Sequence, residues 1–272
     1  MDAEQQQKFL EERKVNHDKT ENIDHTTREE CAFEGEANTT ECQTEEGRHV
    51  VDQFYRNLPD PNEVKEWYAG FTPEGYNEWA RVVNFTEPYH IIDNCCKNTA
   101  EGGLQLDRSA VCLDIGSGTG IVGQAMQNAG FTNLQALDVS DNFLDACRER
   151  GFYTEYHNFF LGKGVDQFPE NLKNTFDVVT ASGVWMPGHM PKEALLDVHA
   201  ALKVGGVLVT AMRMSMWTDG NHEAYKEYFE EQFATGKLEV VKEERFLRGT
   251  VGGKGLFAQQ ESILLVIQKK AE

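Results

Sequence analysis

Positive charge, paired cysteines and long apolar runs are what this chain lacks. Its 272 residues hold 26 Lys and Arg against 45 Asp and Glu, a net charge of -19. Surfaces that bind phosphate backbones or anionic lipid need clustered cations, so neither nucleic acid nor a membrane is an expected partner. No apolar stretch approaches the ~20 residues that a membrane span requires, and MDAEQQQKFLEERK lacks the apolar core of a signal peptide. The six cysteines (Cys31, Cys42, Cys95, Cys96, Cys112 and Cys147) contain no C-x-x-C pair. Without a secretory signal they are expected to be free thiols, which points to a cytoplasmic protein. The histidines share no ligand spacing with cysteines or acids, so no metal is expected.

The acid is concentrated at the front, with fourteen acidic and six basic side chains in residues 1–50. Residues 1–48 are expected to be a disordered acidic tail, because they bury too little to offset their ordering entropy. Residues 49–108 interleave aromatics with acids and are broken at Pro59, Pro61, Pro73 and Pro88, which predicts an N-terminal cap of short helices. Residues 109–272 then alternate strand and helix. AVCLDIG, NLQALDVS, FYTEYHNFF, FDVVTASGV and GGVLVTAMR are five successive strands. KLEVVKEERFL and ESILLVIQKK follow with no helix between them. Alternation implies a mostly parallel sheet with helices on both faces, and the final hairpin implies an antiparallel strand near its edge. The expected fold is an α/β, Rossmann-like sheet of seven strands.

LDIGSGTGIVG is the informative stretch. Parsed from Gly118, GTGIVG has the G-x-G-x-x-G spacing of dinucleotide sites. Parsed from Asp114, DIGSGTG is an acid two residues ahead of G-x-G-x-G. Both place backbone N–H groups near a ligand at a helix N-terminus. A carboxylate at Asp114 would repel a pyrophosphate but suits an ammonium or sulfonium ligand. Asp138, 18 residues after Gly120, suits a ribose diol and does not distinguish the two. GTVGGKG near the end lacks a Ser or Thr after Lys254 and is expected to be a hairpin loop rather than a phosphate loop.

FDVVTASGV followed by LKVGGVLVTAMR resembles strands four and five of the class I S-adenosylmethionine-dependent methyltransferases, and the closing hairpin fits that fold better than a dehydrogenase. With GYNEWA, NFTEP, LDVS and SGVWMPGHMP, the chain resembles the methyltransferase-like protein 27 group over roughly residues 64–210. Two positions depart from that group's pattern: Asn77 replaces an aspartate, and His157-Asn158 replaces a glycine-acid pair. The resemblance implies S-adenosylmethionine as cofactor and S-adenosylhomocysteine as product.

By that resemblance Gly116, Ser117, Gly118 and Gly120 cradle the methionine part, and Asp114 holds its ammonium directly or through water. Asp138 takes the ribose hydroxyls and Val139 lies beside the adenine. Asn158 accepts from the adenine amino group, and the Phe159 N–H meets a ring nitrogen. Ser182 stands near the sulfonium at the end of strand four. Tyr68, Trp185, His189 and Arg213 are the candidate substrate contacts, with His189 and Tyr76 the candidate catalytic groups. The expected reaction is methyl transfer to an N, O or S atom of a small-molecule acceptor. Protein or peptide methylation and a non-catalytic cofactor-binding module are the alternatives, and the oligomeric state is open.

Overall fold

The computed structural model describes residues 64–82, 84–186, 188–218, 225–248 and 260–271. The acidic tail, the start of the cap and the GTVGGKG loop lie outside the described residues. The first three described helices are α1 (Val64–Ala69), α2 (Pro73–Val82) and α3 (Glu87–Cys96), the last with Pro88 in its first turn.

β1 (Val111–Ile115), α4 (Ile121–Asn128), β2 (Asn133–Asp138), α5 (Asp141–Arg150), β3 (Glu155–Asn158), β4 (Phe176–Ser182), α6 (Ala194–Ala201) and β5 (Leu202–Arg213) then alternate as expected. α7 (Met214–Thr218) and α8 (Tyr225–Ala234) precede the hairpin β6 (Leu238–Arg248) and β7 (Gln260–Lys269). The seven strands lie in the order β3-β2-β1-β4-β5-β7-β6. The first five are parallel, and β7 runs antiparallel to both β5 and β6. The mixed, Rossmann-like sheet is therefore the one expected.

Period-two alternation sends the strands' side chains into two cores. Leu113 and Ile115 of β1 join Val179, Leu208 and Trp185 on one face. Cys112 joins Ala136, Val178 and Val209 on the other. α3 contributes Ile91, Ile92 and Cys95 to that second core, so this helix packs on the sheet itself. α1 and α2 instead form a third cluster, in which Phe71 and Trp79 meet Phe143 of α5 and Met186. β5 begins at Leu202, earlier than the expected start at Gly205. Leu202 pairs with Phe176 before a register irregularity, and Gly205 at φ 86° carries the bend.

Local chemistry sets the helix ends near the site. Ser140 caps α5 by accepting from the Phe143 N–H, and Gly151 closes that helix in the left-handed region at φ 69°. Gly123, inside α4, is small for packing: a Cβ there would overlap the Tyr153 ring. Gly123→Ala is expected to lower stability by about 1–3 kcal/mol, the usual cost of overpacking a filled interior, as measured by urea unfolding. Unchanged stability would show that Tyr153 can withdraw at no cost.

Candidate active site

The sheet order reverses direction between β1 and β4, and open α/β sheets bind ligands outside the strand C-termini at that point. The loop after β1 and the loop after β4 both arrive there. Gly116, Gly118 and Gly120 have φ of 61°, 52° and 86°, the left-handed region. Gly120 shows why a side chain is excluded: a Cβ would stand 2.9 Å from the Phe152 ring and 3.0 Å from Cys147 Sγ.

Asp138 holds this turn in place. One carboxylate oxygen accepts the Gly118 N–H at 2.8 Å, and the other accepts the Ser140 N–H at 2.9 Å. The carboxyl is nearly buried, which pushes its pKa upward, while these backbone donors pull the other way. The loop is also fastened from above, where Thr119 Oγ1 donates to Asn77 Oδ1 of α2 at 2.5 Å.

A cavity of about 660 Å³, measured out to solvent, opens over these groups. Gly116, Gly118, Asp138, Val139, Phe159 and Ser182 form its floor and one wall. Tyr68, Tyr76, Phe143 and His189 cover it from the cap side. His189 packs edge-on against Trp67 and Tyr68, with ring centroids 5.6 and 5.4 Å away. Burial, then the neighbouring Tyr76 and Asp138, push the Tyr68 phenol well above its ordinary pKa. Burial and Asp138 do the same for Tyr76. Both hydroxyls therefore stay protonated near neutrality, which suits Tyr76 to donating hydrogen bonds and not to acting as a base.

A second cavity of about 560 Å³ adjoins the first. Tyr68, Tyr76 and Gly183 belong to the walls of both. Arg213 lines the second, together with Trp79, Phe85, Glu87 and Arg248.

Several expected contacts are corrected by the geometry. Asp114 is not among the residues that line the cavity. Its two oxygens accept from Tyr153 Oη at 2.6 Å and Thr180 Oγ1 at 2.9 Å beneath the loop. The same Tyr153 hydroxyl accepts the Gly123 N–H at 3.1 Å, so this acid braces α4 from below. The Phe159 N–H is used by Asp138 O at 3.2 Å, although its ring does line the cavity. Asn158 is exposed, with Nδ2 donating to Val139 O and Asp141 Oδ1; the acceptor expected of it is the other amide atom, Oδ1. Trp185 is a core residue, 1% exposed, whose indole N–H donates to Thr210 Oγ1 and whose ring packs on Phe229. It also lines the second cavity. Ser117 and Gly120 lie behind the first cavity's wall and shape the turn.

Phe143, Tyr153, Glu87 and Arg248 were not singled out from the sequence, and Asn77 was noted only as a departure from the group's pattern. Phe143 follows the Ser140 cap by three residues, a local signal that could have placed it on the site-facing turn. Glu87 and Arg248 meet across 161 residues, and no local pattern announces that pair.

The site has the fittings that a nucleoside-bearing sulfonium cofactor requires. The cradle is made of left-handed glycines, and a buried acid stands at the end of β2. Ser182 Oγ and Ser117 Oγ are buried without a hydrogen-bond partner. Comparison with known proteins agrees with this. Residues 113–208 match a family described as Methyltransferase domain. Human methyltransferase-like protein 27 is 28% identical over 173 residues, which is 64% of this chain and 65% of that protein. The chain thus matches just under two thirds of that relative's length. A chain of the Haloferax volcanii complex containing the Trm112 methyltransferase activator superposes with a TM-score of 0.55 at 14% identity, covering 78% of this chain and 98% of that one. The MccD protein gives 0.49 at 15% identity, covering 68% and 100%. The structural likeness concerns the fold alone. The chain resembles the class I S-adenosylmethionine-dependent methyltransferases, and within them the methyltransferase-like protein 27 group.

Burial raises the pKa of Asp114 from 3.8 to about 7, and nearby Asp138 adds to the rise, while the Tyr153 and Thr180 hydrogen bonds oppose it. A carboxyl whose folded pKa is raised contributes stability below its unfolded pKa and loses it as pH climbs through the folded value. The stability of the natural chain relative to Asp114→Asn is therefore expected to fall between about pH 4 and about pH 7. Urea unfolding of both proteins at pH 5 and pH 8 measures this, and a pH-independent difference would contradict it.

Proposed function

We propose that this methyltransferase-fold chain binds S-adenosylmethionine in the first cavity and transfers its methyl group to a small-molecule acceptor in the second. One observation carries the reading. The two cavities share Tyr68, Tyr76 and Gly183, so a ligand in the first would meet a ligand in the second at a common wall.

The residues divide the work as follows. Backbone of the glycine turn and the Asp138 carboxylate bind the nucleoside and amino-acid ends. Asp114 and Tyr153 keep that turn rigid from below. Ser182, at the end of β4, offers an unused hydroxyl beside the junction of the cavities. Gly183 leaves the junction open, since a Cβ there would lie 2.8 Å from the Phe85 ring. Tyr68 and Tyr76 roof the junction, exclude water and donate hydrogen bonds. His189, in the wall of the first cavity, carries the imidazole assigned to receive a proton where the acceptor must lose one. The cofactor, when bound, supplies a methyl already activated on sulfur, so the chain's task is alignment along the S–CH3 axis and desolvation.

The aromatic roof over the junction favours a metabolite over a folded protein as acceptor. Incubation with methyl-labelled cofactor and a fractionated cell extract is expected to label the low-mass fraction. Label confined to protein would replace the small-molecule reading with the peptide one. In calorimetric titration, Asp138→Ala is expected to weaken S-adenosylmethionine binding by roughly ten-fold or more, the scale of lost hydrogen bonds to a charged group. Tight NADH binding by the natural chain, without S-adenosylmethionine binding, would overturn the cofactor assignment.

A further inference from the structure

The second cavity contains a charged group with an unused face. Glu87, the first residue of α3, is fully buried, and its Oε1 accepts from Arg248 Nη1 at 2.7 Å. Arg248 ends β6, and its guanidinium also lies 5.9 Å from the centre of the Phe85 ring. Glu87 Oε2 is buried and has no hydrogen-bond partner among the described residues. Both residues line the cavity. A purely structural ion pair would be expected to fill both carboxylate oxygens, because a desolvated, unsatisfied oxygen costs about 1–3 kcal/mol or more. A buried carboxylate oxygen without a protein partner, on a residue that lines a cavity, is explained by a ligand donor that reaches it.

The surroundings say which ligand. The rings of Tyr68, Tyr76, Trp79 and Phe85 line the same space and accept a flat apolar body, and their faces attract cations. The two tyrosine hydroxyls remain neutral, so neither competes with Glu87 as an anion. Arg248 is committed to Glu87, and Arg213 is also engaged. Both arginines of this cavity therefore already carry partners.

We infer that the second cavity is an amine-recognition chamber, in which Glu87 Oε2, oriented by Arg248, anchors an N–H group of a flat, mostly apolar acceptor. The ligand class is an aryl or arylalkyl amine. Glu87 binds the anchoring group and Arg248 is its positioning residue. The inference rests on the proposed function only in naming this ligand the methyl acceptor; the chamber's preference for amines stands by itself.

Three probes of matched size test it: phenethylamine, phenethyl alcohol and 3-phenylpropionate. They are titrated calorimetrically into the full chain, with and without saturating S-adenosylhomocysteine. Phenethylamine is expected to bind roughly ten-fold or more tightly than 3-phenylpropionate, on the scale of one charge-assisted hydrogen bond, with the alcohol between them. Glu87→Gln keeps an oxygen for Arg248 but removes the charge and is expected to abolish the preference. Should that variant not fold, Met216→Trp provides the second arm, since Met216 lines the chamber and is not part of the ion pair. It is expected to block the amine while sparing S-adenosylhomocysteine. Equal or reversed preference, a preference that survives Glu87→Gln, amine binding that survives Met216→Trp, or no binding of any probe would each overturn the inference. Amine binding without S-adenosylhomocysteine binding would instead sink the methyltransferase reading and leave the chamber standing.

Discussion

Asp138 sits where two strands, a helix start and a glycine turn converge, and its carboxylate is the bond on which the site depends. By accepting from Gly118 and Ser140 at once, it ties the turn after β1 to the turn after β2. Each turn alone is a short loop with several available conformations. Joined through one buried anion, they present a fixed floor under the first cavity. The same acid leaves negative character at the cavity surface, which selects for a ligand rich in hydroxyl and ammonium donors.

The support continues downward and upward from that floor. Below it, Asp114, Tyr153 and Thr180 form a buried polar set that reaches Gly123 in α4, so the helix start cannot drift from β1. Above it, Thr119 and Asn77 connect the turn to the cap. The cap's aromatic cluster therefore closes over the site as part of one packed assembly with α5, through Phe143. Rigidity at the turn and closure at the cap are the two conditions that methyl transfer demands of a protein, since the reactive centre is already activated.

Local patterns carried most of the fold. Strand–helix alternation and the closing hairpin were readable because period-two and longer-period hydrophobic patterns are properties of short segments. The glycine turn and Asp138 were readable for the same reason: a turn needing left-handed backbone needs glycine, and an acid at a strand end is visible in the string. Direction was not readable. Asp114 and Trp185 occupy suitable positions in the chain, but Asp114 is bonded to Tyr153 and Thr180, and the Trp185 ring packs into the core. Asn158 is turned to its own neighbours by Asp141, one helix start away. Glu87 and Arg248 were invisible because their meeting is made by α3 and the last hairpin, elements far apart in sequence that the sheet order brings together.

A crystal structure with S-adenosylhomocysteine bound tests the central claim most directly. The ribose hydroxyls are expected within hydrogen-bond distance of the Asp138 carboxylate, with the Gly118 N–H still donating to it and the sulfur facing the junction at Gly183. A ligand seated with its ribose away from Asp138, or a glycine turn that rearranges and releases Asp138 on binding, would contradict the account.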